Sequence, residues 1–271
     1  MLSYETKGKG LPLVLIHAFP LSRKMWTAAS ANLIDEFKII LPDLPGFGDS
    51  ARQAKPSIPD MAREVAALLD RLKITEPVWM GGLSMGGYVL FEFLRQFPKR
   101  VRGLGLFATR ATADTPEARE NRLRAIEAIE KCGMEPYAEK IVKSQLGKTT
   151  LEKNPEILRT AWDIMRSQAR EGAMDALKAM AQRRDSSDLL GAIRVPTLIM
   201  AGSEDTIVPE AEMEAMHRQI SGSEFYAIPQ SGHLVNLEQP GPFHRILKNF
   251  LDRQKVPGSS GASRNQVPGR A

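Results

Sequence analysis

The sequence contains a single cysteine, Cys132, so no disulfide can form within the chain. That argues against a scaffold held together by disulfides in an oxidising compartment, and we expect a cytoplasmic protein. No apolar run reaches the roughly 20 residues that a membrane helix needs. The first ten residues lack the apolar stretch of a signal peptide, so none is expected.

The sequence also lacks a concentration of charge of one sign, although 37 Lys and Arg outnumber 32 Asp and Glu. The basic residues are interleaved with acidic ones, which is typical of a solvated surface and not of a nucleic-acid-binding patch. We therefore expect neither a nucleic-acid nor a membrane partner. No metal-ligand spacing and no dinucleotide or phosphate-binding glycine pattern is present, so we expect no metal and no cofactor. The oligomeric state stays open.

Short apolar runs alternate with amphipathic patterns along most of the chain, which predicts an α/β fold with a mostly parallel sheet flanked by helices. Strands are predicted at 11–17, 37–41, 77–80, 101–108, 195–201 and 224–228, and helices at 24–35, 58–73, 85–97, 210–220 and 242–254. No strand pattern occurs between 112 and 190, where helices are predicted at 117–131, 137–146, 155–168 and 173–182.

This pattern divides the chain into a core and an insertion. We predict an α/β core at 1–110 and 191–254, and a helical cap at 111–190 above the carboxyl ends of the strands. Residues 255–271 are rich in Gly, Ser and Pro and are predicted to be a disordered tail.

The segment GLSMG at 82–86 follows a predicted buried strand and opens a predicted helix. A serine at such a sharp turn, flanked by glycines that let strand and helix approach, is the arrangement of an exposed nucleophile. The N–H of Met85, at the helix N-terminus, would point to a developing oxyanion. The alternative is that Ser84 only caps the helix.

His233 lies in a loop after the last predicted strand, from which it could reach Ser84 and act as general base. The other three histidines are weaker candidates. His217 and His244 lie in predicted helices without an evident partner, and His17 ends the first predicted strand. We expect His17 to orient the loop that follows it.

The acid that would orient His233 follows the predicted strand at 195–201. Glu204 and Asp205 both lie at this strand end, between Ser84 and His233 in chain order. Asp43 also ends a strand, but its turn-rich surroundings favour a role in fixing that turn. The loop after the first strand would supply the second oxyanion donor, for which the N–H of Phe19 is the candidate.

Taken together, these segments resemble the α/β-hydrolase superfamily over almost the whole chain apart from the tail. The matching segments are HAFP at 17–20, PDLPGFGDS at 42–50, GLSMGG at 82–87, VPTLIMAGSED at 195–205 and SGH at 231–233. The resemblance implies the α/β-hydrolase fold and places the acid at Asp205. Ala18 departs from the glycine usual after this histidine, which predicts a different or strained oxyanion loop.

Within the superfamily the chain is most similar to capped serine esterases, enol-lactonases and cofactor-free haloperoxidases. The prediction is a carboxylesterase-like hydrolase that cleaves small esters through an acyl-enzyme on Ser84. Enol-lactone hydrolysis, C–C hydrolysis and peroxide chemistry with the same triad are alternatives, and a ligand sensor with slow turnover is another. The candidate pocket residues are Arg110, Tyr137, Leu146, Trp162, Met165, Met174 and Met180. For most of them helix packing is the competing interpretation.

Overall fold

The computed structural model describes residues 1–254, apart from the side chain of Asn32, so the predicted tail at 255–271 lies outside the described residues. A seven-stranded sheet in the order β1-β3-β2-β4-β5-β6-β7 organises the chain. The strands are Tyr4–Lys7 (β1), Leu11–Ile16 (β2), Phe37–Pro42 (β3), Val78–Leu83 (β4), Val101–Phe107 (β5), Thr197–Gly202 (β6) and Glu224–Ile228 (β7). The expectation of a mostly parallel sheet flanked by helices is confirmed.

The sheet contains one strand that the sequence patterns did not predict. β1 is a four-residue edge strand that pairs antiparallel with β3, while every other pairing is parallel. Its residues are only partly buried or exposed, so its composition lacks the apolar run that marks the inner strands.

The helices cover both faces of the sheet. Along β2, Leu13 and Leu15 lie in one apolar cluster and Val14 and Ile16 in the other, so the strand is buried on both sides. The α-helices outside the β5–β6 connection are Thr27–Ser30 (α1), Ile58–Arg71 (α2), Met85–Gln96 (α3), Glu210–His217 (α10), Val235–Glu238 (α11) and Pro240–Arg253 (α12).

The helix predicted at 24–35 is not continuous. A 3-10 turn at Arg23–Trp26, the short α1 and a second 3-10 turn at Ala31–Leu33 follow one another there. Thr, Ser and Asn in this stretch have weaker helix propensities than Ala or Leu, which fits a segment of tight turns.

The connection between β5 and β6, hereafter the insertion, is entirely helical. Its α-helices are Pro116–Cys132 (α4), Met134–Val142 (α5), Lys148–Lys153 (α6), Pro155–Arg166 (α7), Arg170–Ala181 (α8) and Ser187–Leu190 (α9). Within residues 1–254, none of the helices combines the length and hydropathy needed to cross a bilayer. The insertion occupies the predicted cap segment, and its behaviour as a separate domain stays a prediction.

Candidate active site

Ser84 occupies a sharp turn between β4 and α3. Its φ of 52° and ψ of −112° lie in a region that non-glycine residues rarely adopt. The Ser84 N–H donates to the Phe107 carbonyl at 2.9 Å, which ties the turn to β5. A Cβ on Gly82 would lie 2.5 Å from the carbonyl carbon of Gly86, so this turn requires glycine beside the serine.

His233 and Asp205 form a buried pair at the same edge of the sheet. The Nδ1 of His233 lies 2.8 Å from Oδ2 of Asp205, and the two side chains are 3% and 0% exposed. The other carboxylate oxygen accepts from the N–H groups of Ile207 at 2.8 Å and Val208 at 3.0 Å. Because the carboxylate engages Nδ1, the ring nitrogen left for proton exchange is Nε2.

The two acids at this strand end, of which the family resemblance pointed to Asp205, have different partners in the structure. The Glu204 carboxylate accepts from the Thr149 N–H at 2.8 Å and from the Thr149 hydroxyl at 2.5 Å, so it contacts the insertion. The hydrogen bond from that hydroxyl is the largest factor that lowers the pKa of Glu204. Only Asp205 of the two is hydrogen-bonded to His233.

The two candidate oxyanion donors follow β2 and β4, which are neighbouring strands of the sheet. Met85 is the first residue of α3, where N–H groups have no acceptor within the helix. Phe19 lies in the loop after β2, and its N–H has no hydrogen-bond acceptor among the described residues. Ala18 is absent from the residues with positive φ in the described chain, so the loop forms there without the conformation that favours glycine.

His17 connects the Phe19 loop to the turn after β3. It is fully buried, its Nδ1 lies 3.0 Å from the Ala18 carbonyl, and its Nε2 lies 2.9 Å from the Leu44 nitrogen. Burial lowers its pKa, which favours the neutral ring with the proton on Nδ1. In the same turn the Asp43 carboxylate accepts from the N–H groups of Arg23 and Asp49.

Three buried polar residues that the sequence reasoning missed support this arrangement. The Thr109 hydroxyl donates to the Ser84 carbonyl at 2.8 Å. The Gln145 carbonyl accepts from the His233 N–H at 3.1 Å. One carboxylate oxygen of Glu238 accepts from residues on either side of His233. Glu238 follows His233 by only five residues, and this short spacing in the sequence could have indicated that Glu238 supports the His233 loop.

A cleft of about 510 Å³ lies between these loops and the insertion. Phe19 lines it, as does Tyr88, which follows Ser84 by one helical turn. Gln145 and Ile207, which are bonded to His233 and Asp205 respectively, also line it. The cleft lining therefore includes the Phe19 loop, α3 and the loop after Asp205, while Ser84, Asp205 and His233 themselves are not among its lining residues.

The sequence profile of the family described as "alpha/beta hydrolase fold" matches residues 12–240. The chain belongs to that family. Membership confirms the expected fold and superfamily and supports a hydrolase.

Three similar proteins place this α/β hydrolase among its relatives. An esterase structure from Thermogutta terrifontis with malate bound is 42% identical, with a TM-score of 0.90 and 93% of each chain covered. The 3-oxoadipate enol-lactonase 2 of Acinetobacter baylyi is 26% identical, with 93% of each chain covered. The dihydrolipoyllysine-residue acetyltransferase component of an acetoin cleaving system from Pseudomonas putida is 27% identical. That match covers 92% of this chain but 65% of the relative.

The predicted pocket residues of this α/β hydrolase lie in three different places. Arg110 and Tyr137 line the cleft. Trp162 lines a separate groove between α5 and α7, on the opposite side of α5 from the cleft. The remaining four are Leu146, Met165, Met174 and Met180, which pack into the apolar clusters as buried or partly buried residues. In the described chain, no group of three or more His, Cys, Asp or Glu side chains could hold a metal ion.

Proposed function

We propose that this protein is a serine hydrolase that cleaves small carboxylic esters through an acyl-enzyme on Ser84. The observation that carries the proposal is the buried His233–Asp205 pair at the sheet edge where Ser84 sits in its strained turn. Ser84, Asp205 and His233 follow β4, β6 and β7, and the carboxyl ends of parallel strands meet at one edge. Nucleophile, base and orienting acid are the parts that acyl transfer requires.

In the proposed mechanism His233 removes the Ser84 hydroxyl proton through Nε2 while Oγ attacks the ester carbonyl. The N–H groups of Phe19 and Met85 hold the oxyanion, and one such donor typically contributes about 3 kcal/mol. His233 then protonates the departing alcohol, leaving the acyl group on Ser84. Water then gives a proton to Nε2 of His233 and attacks this ester, and His233 passes the proton to Oγ of Ser84 as the carboxylic acid leaves. Asp205 keeps the imidazole oriented and stabilises its charged form.

A small substrate is supported by the character of the cleft walls. Phe19, Ile141 and Leu177 give it an apolar surface, while Tyr88 and Tyr137 add hydroxyl groups. A mixed lining of this kind suits a short acyl chain better than a long lipid. The similarity to the Thermogutta terrifontis esterase, at 42% identity, supports ester chemistry.

Lactone hydrolysis is the second candidate, since a lactone is an internal ester and needs the same groups. The similarity to the Acinetobacter baylyi enol-lactonase favours it. Initial rates on matched open-chain esters and lactones distinguish the two candidates, since the better substrate identifies the activity. Ring opening of a lactone yields one hydroxy acid, whereas an open-chain ester releases a separate acid and alcohol.

Replacement of the nucleophile tests the proposal. On p-nitrophenyl esters from acetate to laurate, we expect Ser84→Ala to lower kcat by at least about 10³-fold, because no oxygen remains to form the acyl-enzyme. The wild-type rate should fall as the acyl chain lengthens. Ser167→Ala is the matched control, since its exposed hydroxyl donates to the Ile164 carbonyl and accepts from Nε2 of Gln168 but contacts none of the candidate catalytic residues. Turnover retained in Ser84→Ala contradicts the mechanism, as does failure of a fluorophosphonate probe to label Ser84 in the wild type.

A further inference from the structure

One wall of the cleft carries a charged cluster that the proposed acyl transfer does not use. The Nη2 of Arg122, on α4, donates to one oxygen of Asp114 at 3.2 Å, and its Nε donates to the other. Arg183 also pairs with Asp114, and its guanidinium lies 4.1 Å above the Tyr88 ring. Two guanidinium groups thus share one carboxylate, which leaves the cluster with one net positive charge.

The side-chain donors of Arg122, Tyr88 and Tyr137, three residues that line the cleft, are incompletely used. The Nη1 of Arg122 has a single contact, the thioether sulfur of Met180 at 3.5 Å, which is a weak acceptor. The hydroxyls of Tyr88 and Tyr137 have no hydrogen-bond partner among the described residues. Burial raises the pKa of Tyr137 to about 12, so its hydroxyl stays a donor at neutral pH.

Arg110, the arginine expected from the sequence to bind a substrate carboxylate, is engaged differently. Its Nη2 donates to the Ile207 carbonyl and lies 3.1 Å from the Glu212 carboxylate. The Arg110 charge is therefore balanced by a partner of its own. Asp114, the acid in the cleft lining, is shared by two arginines. The excess positive charge belongs to Arg122 and Arg183 together, and of these two Arg122 lines the cleft.

We propose that Arg122, with the hydroxyls of Tyr137 and Tyr88, forms a subsite for a carboxylate carried by the ester substrate. The inference rests on the proposed function and deepens it. The substrate class is an ester with a free carboxylate, such as a monoester of a short dicarboxylic acid. A partly buried guanidinium with an unused N–H binds a carboxylate through a charge-assisted hydrogen bond. Tyr88 lies four residues after Ser84, one helical turn into α3, and it lines the cleft together with Arg122 and Tyr137.

The experiment compares substrates that differ only in charge. Methyl hydrogen succinate and methyl 4-methylpentanoate have the same shape, because an isopropyl group replaces the carboxylate, and a pH-stat follows both. We expect the wild type to prefer the succinate monoester in kcat/KM. Arg122→Gln should lower kcat/KM for the monoester by about 10- to 100-fold, which is the range for losing a charge-assisted hydrogen bond. The same variant should leave the neutral ester within about threefold of its wild-type rate.

Two further variants control for folding and for long-range charge. Arg124→Gln removes a positive charge from an exposed position on the same helix and should leave the preference unchanged. Tyr137→Phe removes only a hydroxyl from the cleft and should reduce kcat/KM for the monoester alone, by about three- to tenfold. It keeps the proposal testable if Arg122→Gln does not fold, since Arg122 also holds Asp114.

The outcomes distinguish failure of the subsite from failure of the proposed function. Equal rates on both esters, or equal losses on both in Arg122→Gln and Tyr137→Phe, overturn the carboxylate subsite while ester hydrolysis stands. A wild type that hydrolyses neither ester, and whose Ser84 is not labelled by a fluorophosphonate, overturns the proposed function itself.

Discussion

His17 shows how a single buried side chain can make stability depend on pH. Both ring nitrogens lie within hydrogen-bond distance of the main chain, and Nε2 must be unprotonated to accept from the Leu44 N–H. Burial lowers the pKa of His17 below the ordinary value of 6.5 for a histidine. Below pH 6.5 the unfolded chain takes up a proton at this histidine that the folded chain resists. The contribution to stability is therefore present above that pH and is lost as the pH falls towards the lowered value.

Replacing His17 by glutamine tests this linkage, because glutamine offers Leu44 an acceptor that does not titrate. We expect His17→Gln to be less stable than the wild type at pH 8. The difference in the free energy of unfolding should shrink by up to about 1.4 kcal/mol per pH unit below pH 6.5. Urea denaturation of both proteins at pH 8.0 and 5.5 measures it. A difference that is the same at both pH values contradicts the linkage, since all other titrating groups are common to both proteins.

Elements with a strong periodic pattern were predictable from the sequence, and weakly patterned ones were not. The helix predicted at 58–73 is present as α2, where Ser57 caps the N-terminus together with Asp60. β4 extends to Leu83, beyond its predicted end at 80, because Gly81 packs against Leu15 and Phe107 with no room for a side chain. Such tertiary packing leaves no signature in local composition.

The residues of the candidate site also differ in how well the sequence predicted them. Motif order and strand ends indicated Ser84 and His233, and the family resemblance indicated Asp205, which is the acid hydrogen-bonded to His233 in the structure. Pocket residues were harder to predict, because an apolar residue on a helix of the insertion has the same composition whether it faces the cleft or another helix. Met165, for example, is fully buried in the apolar cluster that contains Leu13 and Leu15.

Glu238 of α11 joins the His233 loop to the insertion, and this link can be tested. Its Oε1 accepts from the N–H groups of Gly232 at 2.9 Å and Leu234 at 3.2 Å. Its Oε2 accepts from the N–H of Gly147 at 2.8 Å and the hydroxyl of Thr150 at 2.7 Å. A glutamine cannot satisfy all four, because one of its two terminal atoms is a donor.

We expect Glu238→Gln to lower kcat by about tenfold with a smaller change in KM, because main-chain donors beside His233, the proposed base, lose an acceptor or are repelled. The free energy of unfolding should fall by about 1–3 kcal/mol. Thr150→Val is the matched control, since it removes one donor from Oε2 and leaves both bonds beside His233. It should destabilise the protein while kcat stays within about threefold. An equal loss of kcat in both variants would show that Glu238 acts only through general stability.

At the scale of the whole molecule, the short stretch at 145–150 joins the insertion to the loops that carry the candidate base and acid. The Gln145 carbonyl accepts from both His233 and Leu234, and Thr149 donates to Glu204. If the insertion opened as a lid at this stretch, it would break hydrogen bonds beside the proposed base and acid. We therefore expect the insertion and the sheet to unfold in one transition, with any opening of the cleft occurring at helices farther from this stretch.

Gly147 lies at the centre of this junction and offers a sharp test of it. Its φ of −68° and ψ of 154° suit alanine, but a Cβ would lie 2.6 Å from Oε2 of Glu204 and 2.7 Å from the Gly232 nitrogen. Because the backbone permits alanine, any cost of Gly147→Ala comes from pushing the insertion away from the two loops. We expect a loss of about 1–3 kcal/mol in the free energy of unfolding, typical of overpacking. We also expect kcat/KM to be lower than in the wild type under conditions where the variant is fully folded.

Gly191 provides the matched control for Gly147→Ala. It shares a φ of −68°, and a Cβ there would meet no atom within 4 Å. Gly191→Ala should be neutral or stabilise the protein by up to about 1 kcal/mol, since alanine restricts the unfolded chain. Urea denaturation and ester kinetics on both variants give the comparison. Full activity and wild-type stability in Gly147→Ala would mean that the insertion moves freely at 145–150, and the position of His233 would then not depend on the insertion.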